Sequence, residues 1–92
     1  MEIKYHPLVL KVDIPKLDKP VKQRIKNAIE NKLLVDPFLY GISLRGSLRN
    51  LRKLRVGDYR VAFLLEKNKI FVICVTHRKE IYKLLARRNL SF

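Results

Sequence analysis

Residues 51–75, LRKLRVGDYRVAFLLEKNKIFVICV, have the clearest secondary-structure pattern in the chain. Its apolar residues fall into three runs, at about 51–56, 59–66 and 69–76. They alternate with polar residues in the first two runs and are nearly continuous in the third. Gly57-Asp58 and Lys67-Asn68 separate the runs by two residues each, the spacing of tight β-hairpins. The pattern predicts three consecutive antiparallel strands, the last of them central and covered on both faces.

Four cations lie among the apolar residues of the first hairpin, namely Arg52, Lys53, Arg55 and Arg60. Successive side chains of a strand point to opposite faces, so Lys53 and Arg55 fall on one face and Leu54 and Val56 on the other. We therefore expect helices on one face of the sheet only. The second face would then be free, cationic and available to an anion.

The net charge of +13 is unevenly distributed. Residues 1–44 hold eight cations and five anions, whereas residues 45–92 hold thirteen cations, eight of them arginine, and three anions. Arginine presents a planar fork of donors that binds phosphate through two hydrogen bonds. This segregation favours a polyanionic partner, with nucleic acid as the leading candidate.

The remaining segments predict a strand, a long helix and a closing helix around this sheet. Residues 2–6 form the strand, and residues 8–17 form a short helix or turn. Asp18 is placed as an N-cap, with Pro20 in the first turn of an amphipathic helix over about 19–34. Residues 38–50 are expected to be a loop, and a closing helix begins at about Arg78. The chain is thus predicted to be α+β, a single domain over 1–92 with a small antiparallel sheet.

Several protein classes are excluded by composition. No apolar run is long enough to cross a membrane, and the N-terminus lacks the apolar region of a secretory signal. We therefore expect a cytoplasmic protein without a membrane partner. Cys74 is the sole cysteine and lies in an apolar run, so a buried thiol is expected. Two histidines, one cysteine and three glycines favour neither a metal site nor a bound cofactor.

The run from Leu51 to Tyr82 resembles the RelE branch of the RelE/ParE superfamily of toxins from bacterial and archaeal toxin–antitoxin systems. Its most specific parts are RKLRVGDYRV and HRKEIY, separated by one hairpin. The resemblance implies a small twisted antiparallel sheet with N-terminal helices and a C-terminal helix. It also implies a metal-free endonuclease that cuts mRNA in the ribosomal A site, and a short acidic antitoxin, similar to RelB, as partner.

The resemblance also implies roles for individual residues. Arg60 would hold the scissile phosphate, Arg78 would stabilise the charge that develops on it, and Tyr82 would orient or activate the ribose 2′-OH. Lys53 is a candidate for proton transfer, and so is His77, because histidine is the residue type most often used for proton transfer. The remaining RNA-binding candidates are arginines, namely Arg45, Arg49, Arg52 and Arg55.

Two questions stay open at this point. Some RelE toxins carry two lysines at alternate positions in this strand, but Leu51 occupies the first of those positions here, so the choice between Lys53 and His77 is undecided. The alternatives to a nuclease are a ParE-like toxin that poisons DNA gyrase and a non-catalytic nucleic-acid-binding module. A gyrase poison has no chemical need for the set Arg60, Arg78 and Tyr82, whereas any domain of this charge binds polyanions.

Overall fold

A computed structural model describes residues 2–40, 42–43 and 51–88 of the chain. Its strands are β1 (Glu2–Tyr5), β2 (Ile42–Ser43), β3 (Leu51–Val56), β4 (Tyr59–Glu66) and β5 (Lys69–His77). They form one mixed sheet in the order β1-β5-β4-β3-β2. The three strands predicted from the sequence, and their boundaries to within one residue, are confirmed.

The central part of the sheet is two consecutive hairpins. β3 pairs antiparallel with β4, and β4 pairs antiparallel with β5. Gly57 begins the first turn with φ +60°, a left-handed conformation that glycine adopts without steric cost. In the second turn Lys67 and Asn68 both have positive φ, of 42° and 66°, as a two-residue turn matched to the twist of the strands requires.

The first strand corrects the expectation of an entirely antiparallel sheet. β1 lies on the far side of β5 and runs parallel to it, in a register from Glu2 opposite Lys69 to Tyr5 opposite Val72. The helical segments after β1 carry the chain from this edge of the sheet to the opposite edge, where β2 pairs with β3. The direction of β1 is therefore set by this crossover, which no local pattern encodes.

The helical layer is built from short segments in succession. They are a π-helical turn (Val9–Asp13), a 3-10 turn (Ile14–Lys16), α1 (Lys19–Ala28), a second π-helical turn (Ile29–Leu33) and α2 (Pro37–Tyr40). The Asp18 side chain accepts a hydrogen bond of 3.0 Å from the backbone N–H of Val21, which confirms the predicted N-cap. The helix expected over 19–34 is confirmed as α1 continued by the second π-helical turn.

The face of the sheet that this layer covers is called the first face. Its side chains are buried and apolar, and they are Leu54, Val56, Val61, Phe63, Ile70, Val72 and Val75. They pack against the apolar stripe of the helical layer, which includes Val21, Ile25 and Ile29. Burial of these side chains is the main favourable contribution to folding.

The opposite face, called the second face, is not free as predicted. Helix α3 (Ile81–Arg87) packs on it through Ile81 and Leu85. These two side chains cover an apolar area of the sheet formed by Leu51, Ala62, Ile73 and Cys74. Ile73 and Cys74 are neighbours that both join this cluster because the β4–β5 register shifts next to Ala62. Helices therefore lie on both faces, which explains why β5 is apolar throughout.

Within the described residues, no helix is long and apolar enough to cross a membrane.

Candidate active site

Lys53 and Tyr82 are brought together at the border of α3 on the second face. Lys53 lies on β3, and its Nζ donates a hydrogen bond of 3.3 Å to the Tyr82 hydroxyl, 29 positions later in the chain. The same ammonium lies 5.4 Å from the centre of the Tyr82 ring, within the range of a cation–π contact. Tyr82 is 51% exposed, so solvent and ligands reach the hydroxyl. An amine and a phenol in direct contact can exchange protons with a bound substrate.

Two arginines lie directly opposite each other beside this pair. Arg55 of β3 is in register with Arg60 of β4, and Arg60 is in turn in register with Thr76 of β5. Like charges directly across a ladder destabilise a sheet, and a bound anion would relieve the repulsion. Lys53 is a diagonal neighbour of Arg60, at roughly 7–8 Å between Cα atoms. The second face thus concentrates three cations within reach of one phosphate group.

The guanidinium of Arg60 is oriented by the backbone of the first hairpin turn. Its Nη1 donates to the carbonyl oxygens of Gly57 at 2.9 Å and of Tyr59 at 2.8 Å. These bonds leave Nε and Nη2 without a protein partner in the described part of the chain. One edge of the fork anchors the side chain while the other remains available to an acceptor.

Arg78 lies near the same turn, but it is not part of the closing helix. It precedes α3, which begins at Ile81, so the predicted start of the closing helix at about Arg78 is wrong. The backbone N–H of Arg78 donates to the Asp58 carbonyl at 2.8 Å, which ties this residue to the β3–β4 turn instead of to a helix. The Arg78 Nε lies 3.8 Å from the Asp58 carboxylate, and both side chains are exposed, so this ion pair contributes little.

His77 lies apart from Lys53. It is in register with Tyr59 on the first-face side of the sheet, and the two rings meet edge to face at 5.6 Å between centroids. Its Nδ1 accepts a hydrogen bond from the backbone N–H of Lys79 at 3.2 Å. The structure therefore brings Lys53, but not His77, onto the surface that holds Tyr82.

Of the remaining arginine candidates, some lie on the second face with Tyr82 and others do not. Arg55 is exposed on the second face, as predicted. Arg52 faces the other way: its Nη2 donates to the Phe38 carbonyl at 3.3 Å, and its guanidinium lies 5.5 Å from the centre of the Phe38 ring. Arg52 thus packs against the helical layer and does not join the cationic surface. Arg45 and Arg49 lie outside the described residues.

One ionic contact near α3 was missed at the sequence level. Asp13 and Arg88 form an ion pair with Nη1–Oδ2 and Nη2–Oδ1 distances of 2.6 and 3.0 Å, and each side chain is only 3% exposed. Hydrogen bonding to Asp13 raises the pKa of Arg88. Two signals could have revealed the pair: Asp13 is the one acid in an apolar run, and Arg88 continues the helical stripe of Ile81 and Leu85.

The thiol beneath α3 is a buried, inert group, as expected. Cys74 is fully buried, and this burial raises the pKa of its thiol to about 12, with the negative charge of Asp13 contributing further and Arg88 opposing. A thiol of this kind is not a nucleophile at neutral pH. Over the described residues, no group of three or more His, Cys, Asp or Glu side chains is placed to hold a metal ion.

Comparisons with known proteins concern the family and the fold of the chain. The family model for the ParE toxin of the type II toxin–antitoxin system parDE matches residues 3–82. No curated protein sequence matches the chain.

Solved structures share the fold at low sequence identity. The RelBE2 toxin–antitoxin complex from Mycobacterium tuberculosis contains a chain with a TM-score of 0.77 and 20% identity, over 84% of this chain and 96% of that one. The isolated RelE toxin of E. coli has a TM-score of 0.69 and 24% identity, over 94% and 95% of the two chains. A mutant of E. coli RelE in complex with a peptide of the antitoxin RelB has a TM-score of 0.68 and 26% identity, over 97% of each chain.

Proposed function

Because the chain belongs to the ParE toxin family of type II toxin–antitoxin systems, we propose that it acts as a ribosome-dependent endonuclease that cleaves mRNA in the A site. The resemblance to the RelE/ParE superfamily seen in the sequence is confirmed, and the α+β architecture is that of the RelE structures. The choice of nuclease over the other activities of the superfamily rests on the second face.

The observation that carries this proposal is the contact between Lys53 Nζ and the Tyr82 hydroxyl, next to the opposed pair Arg55 and Arg60. A surface that only binds a phosphate backbone needs cations. It does not need a phenol held against an amine next to those cations. Groups that can donate and accept protons beside a phosphate-binding arginine are what RNA transesterification requires.

The reaction can be written with these residues and no added reactant. The ribose 2′-oxygen attacks the adjacent phosphorus, and the bond from phosphorus to the 5′-oxygen breaks, which leaves a 2′,3′-cyclic phosphate and a 5′-hydroxyl. The 2′-OH proton passes to a base, and an acid supplies a proton to the departing 5′-oxygen. Arg60, with Arg78 close to the same turn, would stabilise the phosphorane, whereas Tyr82 and Lys53 would handle the protons.

Lys53 is preferred over His77 for proton transfer, because His77 lies on the first-face side of the sheet. The pH–rate profile of single-turnover cleavage distinguishes the two. Lys53→Ala should lower the rate by about 10²-fold and remove one limb of the profile. His77→Ala should leave the shape of the profile unchanged. The opposite outcome would transfer the role to His77.

An acidic antitoxin in the cytoplasm is the proposed partner. RelB is present with RelE in the structures from Methanococcus jannaschii and E. coli. A net charge of +13 is complementary to an acidic chain, and binding of such a chain would neutralise the cations that contact RNA. Expression without the antitoxin should halt growth, and co-expression should restore it. Unimpaired growth with abundant, soluble protein would contradict a toxin.

The proposal is tested by single-turnover cleavage of mRNA on ribosomes with a programmed A site, beside a measurement of ribosome binding. Wild-type protein should cut within the A-site codon. Arg60→Ala should reduce the cleavage rate by about 10²-fold or more while ribosome binding is retained, because it removes a donor to the transition state. Near-normal cleavage by both Arg60→Ala and Tyr82→Phe would show that this surface is not the active site.

The second candidate is a ParE-like poison of DNA gyrase, which the matching family model favours. It is separated from the nuclease by adding the purified protein to a DNA supercoiling reaction. Inhibition of gyrase, with mRNA left intact on ribosomes, would replace the nuclease proposal. Binding of RNA and DNA without either effect would indicate the third candidate, a non-catalytic nucleic-acid-binding module.

A further inference from the structure

The buried ion pair between Asp13 and Arg88 supplies hydrogen-bond partners to the β5 backbone at the point where its pairing with β1 ends. β1 pairs with β5 as far as Val72, whose carbonyl accepts from the backbone N–H of His6 at 2.8 Å. Beyond this point the Ile73 carbonyl accepts from Arg88 Nη1 at 2.9 Å, and the Val75 N–H donates to Asp13 Oδ2 at 2.9 Å. The two side chains therefore take the place of a neighbouring strand on β5.

Burial of two charges requires that their remaining hydrogen-bonding groups find partners, since an ion pair alone does not compensate for the lost hydration. Here Asp13 accepts from Arg88 through both oxygens, and the two backbone bonds use further capacity of both groups. Such a contact is directional, so it determines where the end of α3 lies. The apolar contacts of α3 through Ile81 and Leu85 are not directional, so they hold one side of the helix on the sheet but define its exact rotation less closely.

Helix α3 depends on such a contact because it is short. Its seven residues make two turns, and an isolated helix of this length is unstable in water. Tyr82 lies near its beginning, and the exposed contact of Tyr82 with Lys53 is too weak to hold the helix. One residue of an α-helix corresponds to about 100° of rotation and about 1.5 Å along the axis, so a rotation of α3 by a small part of this would already displace the Tyr82 side chain while Ile81 and Leu85 stay on the sheet. The hydroxyl would then no longer meet Lys53.

We propose that Asp13 and Arg88 are positioning residues, which fix the rotation of α3 on the sheet and thereby hold the Tyr82 hydroxyl against Lys53. The effect on cleavage rests on the proposed nuclease function, whereas the effect on the position of Tyr82 does not. Neither residue lies on the cationic surface, and neither touches the substrate in this proposal. The ion pair acts from the far end of the helix, six residues beyond Tyr82.

The first test is a double-mutant cycle on single-turnover cleavage. Arg88→Lys keeps the positive charge but cannot form the two-pronged contact with Asp13. It should lower the maximal rate by about 10-fold or more, because a misplaced catalytic group reduces the rate, while the apparent affinity for the programmed ribosome stays unchanged. In a Tyr82→Phe background the same change should cost less than about 2-fold, since the hydroxyl that Arg88 positions is already gone. Equal costs in both backgrounds would overturn the proposal.

The matched control is Arg87→Lys, at the neighbouring position. Arg87 is exposed and carries the same charge at the same end of α3, so its replacement should leave the rate within about 2-fold of wild type. A loss equal to that of Arg88→Lys would show that any guanidinium at the end of the helix, not the buried ion pair, is responsible. That result would overturn the proposal.

The second test does not require cleavage. In NMR spectra of the free protein, contacts between the Tyr82 ring and the Lys53 side chain should be present in wild type and in Arg87→Lys. They should be lost or weakened in Arg88→Lys and in Asp13→Asn, which retains an oxygen to accept from Val75 but not the charge. Retention of these contacts in both variants would overturn the proposal. If wild-type protein does not cleave mRNA, the nuclease fails while this test still decides the role of the ion pair.

Discussion

The two faces of the sheet are built from the same strands and differ in what covers them. On the first face Val61, Phe63 and Val72 are fully buried under a continuous helical layer. On the second face α3 covers one apolar area, and the strands beyond it carry Lys53, Arg55 and Arg60. The alternation of side chains along β3 and β4 thus places the residues that stabilise the fold on one face and the residues of the proposed chemistry on the other.

This separation has an energetic reason. Cations held opposite each other repel and weaken the second face, as Arg55 and Arg60 do. The core on the first face must offset that repulsion, and the buried part of the second face contributes as well. Substitutions on the first face should therefore change stability first, whereas those on the exposed second face should change cleavage first.

The largest expected effect is on stability, from the first face. Phe63→Ala should lower the free energy of unfolding by about 3–5 kcal/mol, because it removes a fully buried ring from the core. Phe38→Ala is the matched control, since that ring is 69% exposed, and it should cost less than about 1 kcal/mol. Urea denaturation followed by circular dichroism measures both. Similar costs for the two variants would show that the first face does not contribute more to stability than an exposed ring does.

The next effect is on the proposed cleavage, from the second face. Tyr82→Phe removes one hydroxyl from an exposed ring and should lower the single-turnover rate by about 10²-fold or more, with little change in stability. Tyr59→Phe makes the same chemical change on the first-face side and should leave the rate within about 2-fold of wild type. If both variants lose activity equally, proton handling is not confined to the second face.

A smaller effect tests how completely α3 covers the second face. Burial raises the pKa of Cys74 to about 12, so the unfolded thiol ionises near pH 9 while the folded one stays neutral. The buried neutral thiol therefore stabilises the folded state fully below pH 9, and this stabilisation is lost as the pH rises towards 12. Between pH 8 and pH 10, wild type should lose about 1 kcal/mol more free energy of unfolding than Cys74→Ala. Equal losses would mean that water reaches the thiol.

The smallest effect concerns a cation on the outer surface of the helical layer. Lys26 is exposed on α1, with the sheet between it and the second face, so Lys26→Ala should leave cleavage and ribosome binding within about 2-fold. Single-turnover and ribosome-binding assays of Lys26→Ala and Arg55→Ala compare a cation of the helical layer with a cation of the second face. A loss of binding as large as that of Arg55→Ala would indicate that total charge matters more than its placement.

Much of the site could be anticipated because β-strand alternation is local. The placement of Lys53 and Arg55 opposite Leu54 and Val56 follows from the two-residue period, and the hairpin turn then aligns Arg60 with them. The placement of His77 and Arg78 could not be anticipated in this way. Both lie where β5 ends, the backbone N–H of Arg78 donates to the Asp58 carbonyl, and α3 begins only at Ile81.

The three central strands, their tight turns and the capped helix could be predicted because each depends on residues a few positions apart, and the segregation of positive charge is a property of local composition alone. The parallel pairing of β1, the packing of α3 on the second face and the contact of Lys53 with Tyr82 became visible only in the folded chain. It also decided the burial of Asp13 with Arg88, which are 75 positions apart. These features join segments that are far apart in the sequence. Their geometry is set by side-chain packing and by the need of buried polar groups for hydrogen-bond partners, and neither can be read from a local sequence pattern.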